Sequence, residues 1–180
     1  MTVTATSESL EACRLKETGI SGSLQYLPEY LLELPQPSGS VDIYLLEACI
    51  EGEFVRYGNN AGYVNPMISA ELAHAFSHWT WVASEGRLMV TDLQGTNEGD
   101  AFTLTDPAIH CPQDLVRFCY TNLGMQGIEL FFGSHSCGPT CIALGLKPGH
   151  GQVKPAQAEE ASLVEYLDSW IKCSNALSQM

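Results

Sequence analysis

Seven consecutive residues restrict this chain more than any other stretch: His135-Ser136-Cys137-Gly138-Pro139-Thr140-Cys141. Zinc takes soft thiolates and imidazoles in a tetrahedron, and closely spaced Cys and His at a chain reversal supply three of those ligands. The fourth has to come from elsewhere. His74 and His78 lie four residues apart on a segment of helical periodicity, and either is placed to supply it. The competing reading makes Cys137 and Cys141 ordinary buried thiols, because free cysteine is among the most buried residue types. The chain has seven cysteines, an odd number that fits a closed disulfide framework poorly. With the Cys/His spacing, this points to a reducing compartment, so a cytoplasmic location is expected.

Charge narrows the partners. Eight Lys and Arg stand against 21 Asp and Glu, for a formal net charge of -13. That balance opposes binding to a phosphate backbone, so no nucleic-acid partner is expected. No apolar run approaches the roughly 20 residues that span a bilayer, and Met1–Glu11 lacks the plan of a signal peptide, so no membrane association is expected. A length of 180 residues suits one domain or one lobe of a larger catalytic unit.

The periodicities describe an α+β fold in three stretches. Residues 1–40 read as a poorly ordered or residual N-terminal segment, with Gln25–Leu34 as a short helix or extended piece stopped by Pro35–Ser40. Residues 41–146 carry the chemistry. Val41–Cys49 reads as a strand, and Glu51–Tyr63 as a strand end and a loop. Ser69–Ala83 reads as a helix with Ser69 as N-cap and Glu71 in the first turn. A strand covers Arg87–Leu93, and Gly95–Asp100 is turn-rich. A second helix runs over 123–132 with Leu123, Ile128, Leu130 and Phe131 facing inward. Residues 147–180 form a Gly/Pro/His loop and an amphipathic helix, Glu159–Leu177, with Leu163, Leu167, Trp170 and Ile171 as its apolar stripe.

Two further constellations carry chemistry. Asp92 ends a strand, where a carboxylate reaches solvent and suits a hard cation such as Mg²⁺, and Gln94 projects to the same face two residues on. Asp106 precedes Pro107, which holds its backbone extended. Two aspartates near an amide make a set for phosphoryl transfer, one for metal and one for the attacking hydroxyl. The plainer alternative is that both cap turns. Asn122–Gly127 places glycines before a helix, where backbone N–H groups hold phosphate oxygens. Glu47 with Arg56 reads as an ion pair, and His110 as a satisfied core histidine.

In order along the chain, EGEFVRYGNNAGYV (51–64), AFSHWTW (75–81), LMVTDLQG (88–95), LTDPAIH (104–110), NLGMQGIELFF (122–132) and SHSCGPTC (134–141) resemble the catalytic domain of the alpha-kinases, a family of atypical protein kinases. The resemblance spans roughly residues 41–146. It implies a kinase C-terminal lobe with a structural zinc held by His78, His135, Cys137 and Cys141, which selects His78 over His74. It implies that Asp92 and Gln94 contact Mg²⁺ and ATP, and that Asp106 is catalytic beside the substrate hydroxyl. Glu47 matches the hinge glutamate, Arg56 a family lysine, and Asn122 and Gly124 the glycine loop.

Departures from the family pattern set further expectations. The N-terminal lobe is largely missing, and Lys16 is not assigned the phosphate-binding role. Cys119 and Thr121 stand where the family has glycines, at positions that need close approach or positive φ. The link Thr96–Thr103 is longer, which would shift Asp106 relative to Gln94. The activity implied is ATP-dependent phosphorylation of serine or threonine in a protein substrate. The alternative is an inactive, zinc-stabilised module or truncated fragment that binds a protein partner. The C-terminal helix would either cover the face that meets an N-terminal lobe or join two copies as a homodimer.

Overall fold

The computed structural model describes residues 22–149. Eight strands and three helices follow in the order β1 (Ser23–Tyr26), β2 (Tyr30–Pro35), β3 (Val41–Leu46), β4 (Val55–Arg56), α1 (Glu71–Ala83), β5 (Met89–Thr91), β6 (Gln94–Glu98), β7 (Ala101–Leu104), β8 (Ala108–His110), α2 (Gly124–Ser134) and α3 (Pro139–Ala143). The content is mixed, as the α+β expectation has it. The helix expected at Glu159–Leu177 lies outside the described residues. Among them, no helix is long and apolar enough to cross a membrane.

The principal sheet has four strands in the order β1-β7-β6-β4. β1 runs parallel to β7, and the other two pairings are antiparallel. Its register places Leu24 opposite Phe102 and Tyr26 opposite Leu104. Strand side chains alternate between faces, so these four share one face. All four are buried, and with Leu72, Phe76 and Trp79 of α1 they make the main core. A second cluster joins Trp81 and Met89 to Ile128 and Phe131 of α2. α1 therefore packs on two sides, and Leu72, Ala73 and every residue from Ala75 to Trp81 are buried. A helix that is apolar nearly all round belongs in an interior.

Several local readings change. Gln25–Leu34 holds two strands, with Pro28 between them, and no helix. Residues 22–40 thus carry β1 and β2, although sequence alone places them in a poorly ordered segment. Ser69 does not cap α1: the N-cap is Ala70, with no side-chain cap bond. Gly95–Asp100 holds most of β6 rather than only turns, and Thr96–Thr103 is a hairpin in register with itself, Thr96 opposite Thr103. Gly95, at φ 150°, lies where an added Cβ would strike the Thr103 carbonyl, which makes glycine obligatory there. Leu130 faces outward, 41% exposed, and Gly127 takes the inward place.

Two hydroxyls tie the end of α1 to the start of β5. Thr80 Oγ1 donates to the Ser77 carbonyl at 2.7 Å and accepts from Val90 N–H at 3.0 Å. Ser84 Oγ accepts from Leu88 N–H at 3.1 Å and donates to the Leu88 carbonyl at 2.8 Å. Through them, the helix that carries His78 is joined to the strand that leads into Asp92.

Candidate functional site

His78, His135, Cys137 and Cys141 come together, their ligand atoms all within 4.8 Å of one another. His78 Nδ1 and His135 Nε2 are 3.2 Å apart. Cys137 Sγ lies 3.6 and 3.7 Å from those two nitrogens, and Cys141 Sγ 3.8 and 3.4 Å. Bonds of about 2.0–2.1 Å to nitrogen and about 2.3 Å to sulfur give a tetrahedron with edges of roughly 3.3–3.8 Å. The donor types suit one tetrahedral metal ion, and the five nitrogen–nitrogen and nitrogen–sulfur separations match its edges closely.

The elements explain the convergence. His78 sits on the buried face of α1, His135 follows α2, and Cys137 and Cys141 flank and enter α3. Glu71 adds a brace, since its Oε1 accepts from Thr140 N–H at 2.7 Å in the first turn of α3. Its charge therefore serves the N-terminus of α3 as well as that of its own helix. His74, the other candidate, turns away, and its Nε2 meets the Tyr57 carbonyl at 3.1 Å.

Burial sets the protonation of this cluster. It pushes His78 and His135 down to about 4, and the neighbouring His78 and His74 add to the effect on His135. Both imidazoles are then neutral, the form that binds metal. Burial, then the neighbouring Cys137, pushes the Cys141 thiol up to about 12. A dry pair of thiolates is unfavourable without a cation, and a divalent metal removes that cost.

The carboxylate site is a polar network. Arg56 donates from Nη1 to Asp92 Oδ1 at 2.9 Å and from Nη2 to Gln94 Oε1 at 2.6 Å. The Gln94 amide then donates to the Asp106 carbonyl at 3.3 Å and to its carboxylate Oδ2 at 3.5 Å. Gln94 is buried, whereas Asp106 is exposed. The hairpin thus absorbs the longer link without parting Gln94 from Asp106. Asp92 and Asp106 both adopt left-handed backbone, at φ 58° and 48°, so Asp106 is not extended as its place before Pro107 led one to expect. Such conformations are uncommon outside glycine, are tolerated best by Asn and Asp, and gather at functional sites. Burial raises the Asp92 carboxyl, Arg56 opposes that, and Asp106 adds to the rise. With Asp92 and Gln94 each presenting an oxygen to one guanidinium, a cation already lies between two hard donors, and the residues fit Mg²⁺.

Arg56 therefore pairs with Asp92 rather than with Glu47, correcting the ion pair expected from sequence. Glu47 instead accepts from the Thr105 hydroxyl. It adjoins a residue that sequence reasoning missed, Glu29, whose carboxyl is raised by burial and then by Glu47 and Asp106. No local motif marks Glu29, and only the turn between β1 and β2 brings it near.

At the glycine loop, Gly124 takes φ 55° at the start of α2. Asn122 is committed to the loop itself. Its Oδ1 accepts from Cys111 N–H and Gly124 N–H, each at 2.9 Å, and its Nδ2 donates to the Asp114 carbonyl at 2.9 Å. Cys119 has φ 66°, in the left-handed region that favours glycine, whereas Thr121 is not left-handed. His110 is the satisfied core histidine. Leu123 N–H donates to its Nδ1 at 3.1 Å, so its proton sits on Nε2 and is donated to the Asn60 carbonyl at 2.8 Å. Gly127 lies against the imidazole so closely that a Cβ there would overlap it. His110 thus joins β8 to the loop and to the start of α2, a role that sequence left unassigned.

Solved alpha-kinase domains share this fold. The apoenzyme alpha-kinase domain of myosin-II heavy chain kinase A superposes with a TM-score of 0.65 at 31% identity, covering 76% of this chain and 53% of that one. The same kinase domain in complex with adenosine gives 0.63 at 33%, covering 74% and 50%. An alpha-kinase from Entamoeba histolytica gives 0.60 at 35%, covering 76% and 58%.

Residues 6–141 match the alpha-kinase family, and the chain belongs to it. Relatives include the alpha-protein kinase vwkA of Dictyostelium discoideum, 42% identical over 56% of this chain and 16% of that protein. Another is the eukaryotic elongation factor 2 kinase of Rattus norvegicus, 38% identical over 66% and 16%. The chain spans about half of the solved kinase domains and about a sixth of these two relatives. The family match begins well before the motif-bearing stretch at residue 41.

Proposed function

We propose that this chain forms the metal- and hydroxyl-facing part of an alpha-type serine/threonine protein kinase, which transfers a phosphoryl group from ATP to a hydroxyl of a protein substrate. One observation carries the reading: the Gln94 side chain bridges the Arg56–Asp92 pair to Asp106, so a pair of hard oxygen donors and an exposed carboxylate share one buried amide.

In this reading Asp106 orients the substrate hydroxyl and takes its proton, since exposure leaves it open to a protein substrate. Asp92 and Gln94 hold Mg²⁺, which neutralises charge on the transferring phosphoryl group. Gly124 and Asn122 shape the loop that faces phosphate at the start of α2, their own contacts being internal to the loop. Glu47 lies at the hinge and Arg56 beside the phosphates. The four-donor cluster holds a structural Zn²⁺ through His78, His135, Cys137 and Cys141, locking α3 to α1 and α2. The thiol-rich ligand set suits the reducing cytoplasm.

A second reading, an inactive zinc-held binding module, is favoured by Cys119. Its left-handed backbone carries a side chain where glycine is favoured, in the loop that would approach phosphate. Thermal melting with excess Mg-ATP separates the two. A ligand at about 100 times its Kd adds roughly 2.7 kcal/mol, a shift of several degrees at this size. The kinase reading expects that shift, its loss in Asp92→Ala, and phosphotransfer that Asp106→Asn abolishes. Zinc-loaded protein that shows no shift selects the binding module.

A further inference from the structure

Arg56 reaches Asp92 and Gln94 through sheet register. It ends β4, and its cross-strand partner in β6 is Gln94 itself. Directly opposed residues in an antiparallel pair share a face, so the guanidinium is delivered to the amide by the pairing of the strands. The backbone around it is held on both sides. The Arg56 carbonyl accepts from Asn65 Nδ2 at 3.1 Å, and Tyr57 N–H donates to the Leu93 carbonyl at 2.8 Å. From that base the planar fork takes one oxygen from Asp92 and one from Gln94. A lysine is a point charge without the rigid fork that engages two acceptors side by side.

These two oxygens are the donors that the proposed function gives to Mg²⁺, and on that reading this inference rests. A guanidinium and a divalent ion on these two oxygens oppose each other, since both are positive and each draws on the same donor atoms. Asp92 is mostly enclosed while the Arg56 side chain is half-exposed, so the arginine is the partner free to swing out.

We propose that Arg56 is a specificity-determining residue of this site, a built-in counter-cation that holds Asp92 and Gln94 while no metal is bound and competes with the incoming divalent ion for their oxygens. The chain's dependence on metal concentration is then set by arginine at this position. In the metal-free protein Arg56 keeps Asp92 paired. In the metal-bound protein it leaves these oxygens and is available to phosphate.

The test uses the zinc-loaded chain and Mn²⁺ as the probe for the hard-cation site, read by electron paramagnetic resonance without nucleotide. Arg56→Gln should bind Mn²⁺ about tenfold more tightly than wild type, with Arg56→Lys between them, and Asp92→Asn should remove the binding. Melting supplies a second readout: Arg56→Gln should melt below wild type without Mn²⁺ and gain more from its addition. Unchanged zinc content verifies that the variants are folded, and Arg56→Lys serves if the glutamine variant does not fold.

Equal or weaker Mn²⁺ binding in both Arg56 variants overturns the proposal, as does binding that survives Asp92→Asn. The kinase reading fails separately. Tighter Mn²⁺ binding in Arg56→Gln, with no Mg-ATP shift in any variant, supports the competition and removes the nucleotide. A Mg-ATP shift with no gain in Mn²⁺ affinity does the reverse.

Discussion

The donor cluster at His78, His135, Cys137 and Cys141 and the network of Arg56, Asp92, Gln94 and Asp106 each gather four side chains, and they are built in opposite ways. The first takes three of its members from seven consecutive residues and seats them against the buried helix α1, where burial keeps both imidazoles neutral and raises the Cys141 thiol. The second takes its members from three separate places, leaves Asp106 exposed, sets both aspartates in left-handed backbone and already contains a cation of its own. The first is suited to bind once and hold; the second is arranged to exchange partners. Stability should follow the first cluster and activity the second.

The largest effect should come from breaking the first. Structural zinc contributes on the order of 10 kcal/mol of apparent binding energy in small sites. His78→Ala or Cys141→Ala should therefore aggregate or melt far below wild type, and a strong chelator should do the same. Metal analysis beside a melting curve checks this, and a soluble variant with unchanged melting would contradict a structural metal.

The second cluster should respond in the other sense. Asp106→Asn keeps a side chain that tolerates left-handed backbone. It should change stability by less than about 1 kcal/mol while lowering phosphotransfer by roughly 10²–10⁴-fold, the usual weight of a general base. A large loss of stability in this variant would mean that the two clusters do not divide the work.

Two smaller changes test what lies between them. Gly127→Ala puts a methyl into His110 and should cost about 1–3 kcal/mol as overpacking, with a weaker Mg-ATP shift because His110 anchors Leu123. Cys119→Gly relieves left-handed backbone and should gain roughly 1 kcal/mol, partly offset by glycine's greater freedom when unfolded. Denaturant midpoints read both.

The smallest effect is a pH slope. Burial holds His110 below its ordinary 6.5, so the folded protein keeps it neutral. Above pH 6.5 folded and unfolded chains are alike at this group. Below it the unfolded chain gains the proton first, and stability falls as pH falls, by at most about 1.4 kcal/mol per unit. Stability of zinc-loaded protein between pH 7 and pH 5.5 should therefore decline less steeply in His110→Gln than in wild type.

The exposed hairpin of β2 and β3 shows where residue chemistry stops being a guide. Leu31, Ile43, Tyr44 and Leu45 are as apolar as the residues of α1, yet they are 48–68% exposed in the described structure. Runs apolar on both strand faces are typical of sheets covered on both sides. Sequence left Gln25–Leu34 open between helix and extended chain because its Leu and Tyr suit both, and the pairing of β2 with β3 selects the extended form. Gly95–Asp100 reads as a turn because Gly, Thr, Asn and Asp favour turns, while its first residues are held as a strand by neighbours on either side.

Sequence by itself determined the three clustered candidate donors, the two helices and the family, because ligand spacing and helical periodicity are local and survive in a linear string. Residue spacing alone left His74 and His78 open, the family resemblance selected His78, and packing turns His78 toward Cys137. Tertiary structure alone decided that Arg56 pairs with Asp92 and Gln94, that Glu47 meets Thr105, and that Glu29 lies near Asp106. Those contacts follow from strand register and from the turn between β1 and β2, and register is set by what lies on the neighbouring strand, far away in the chain.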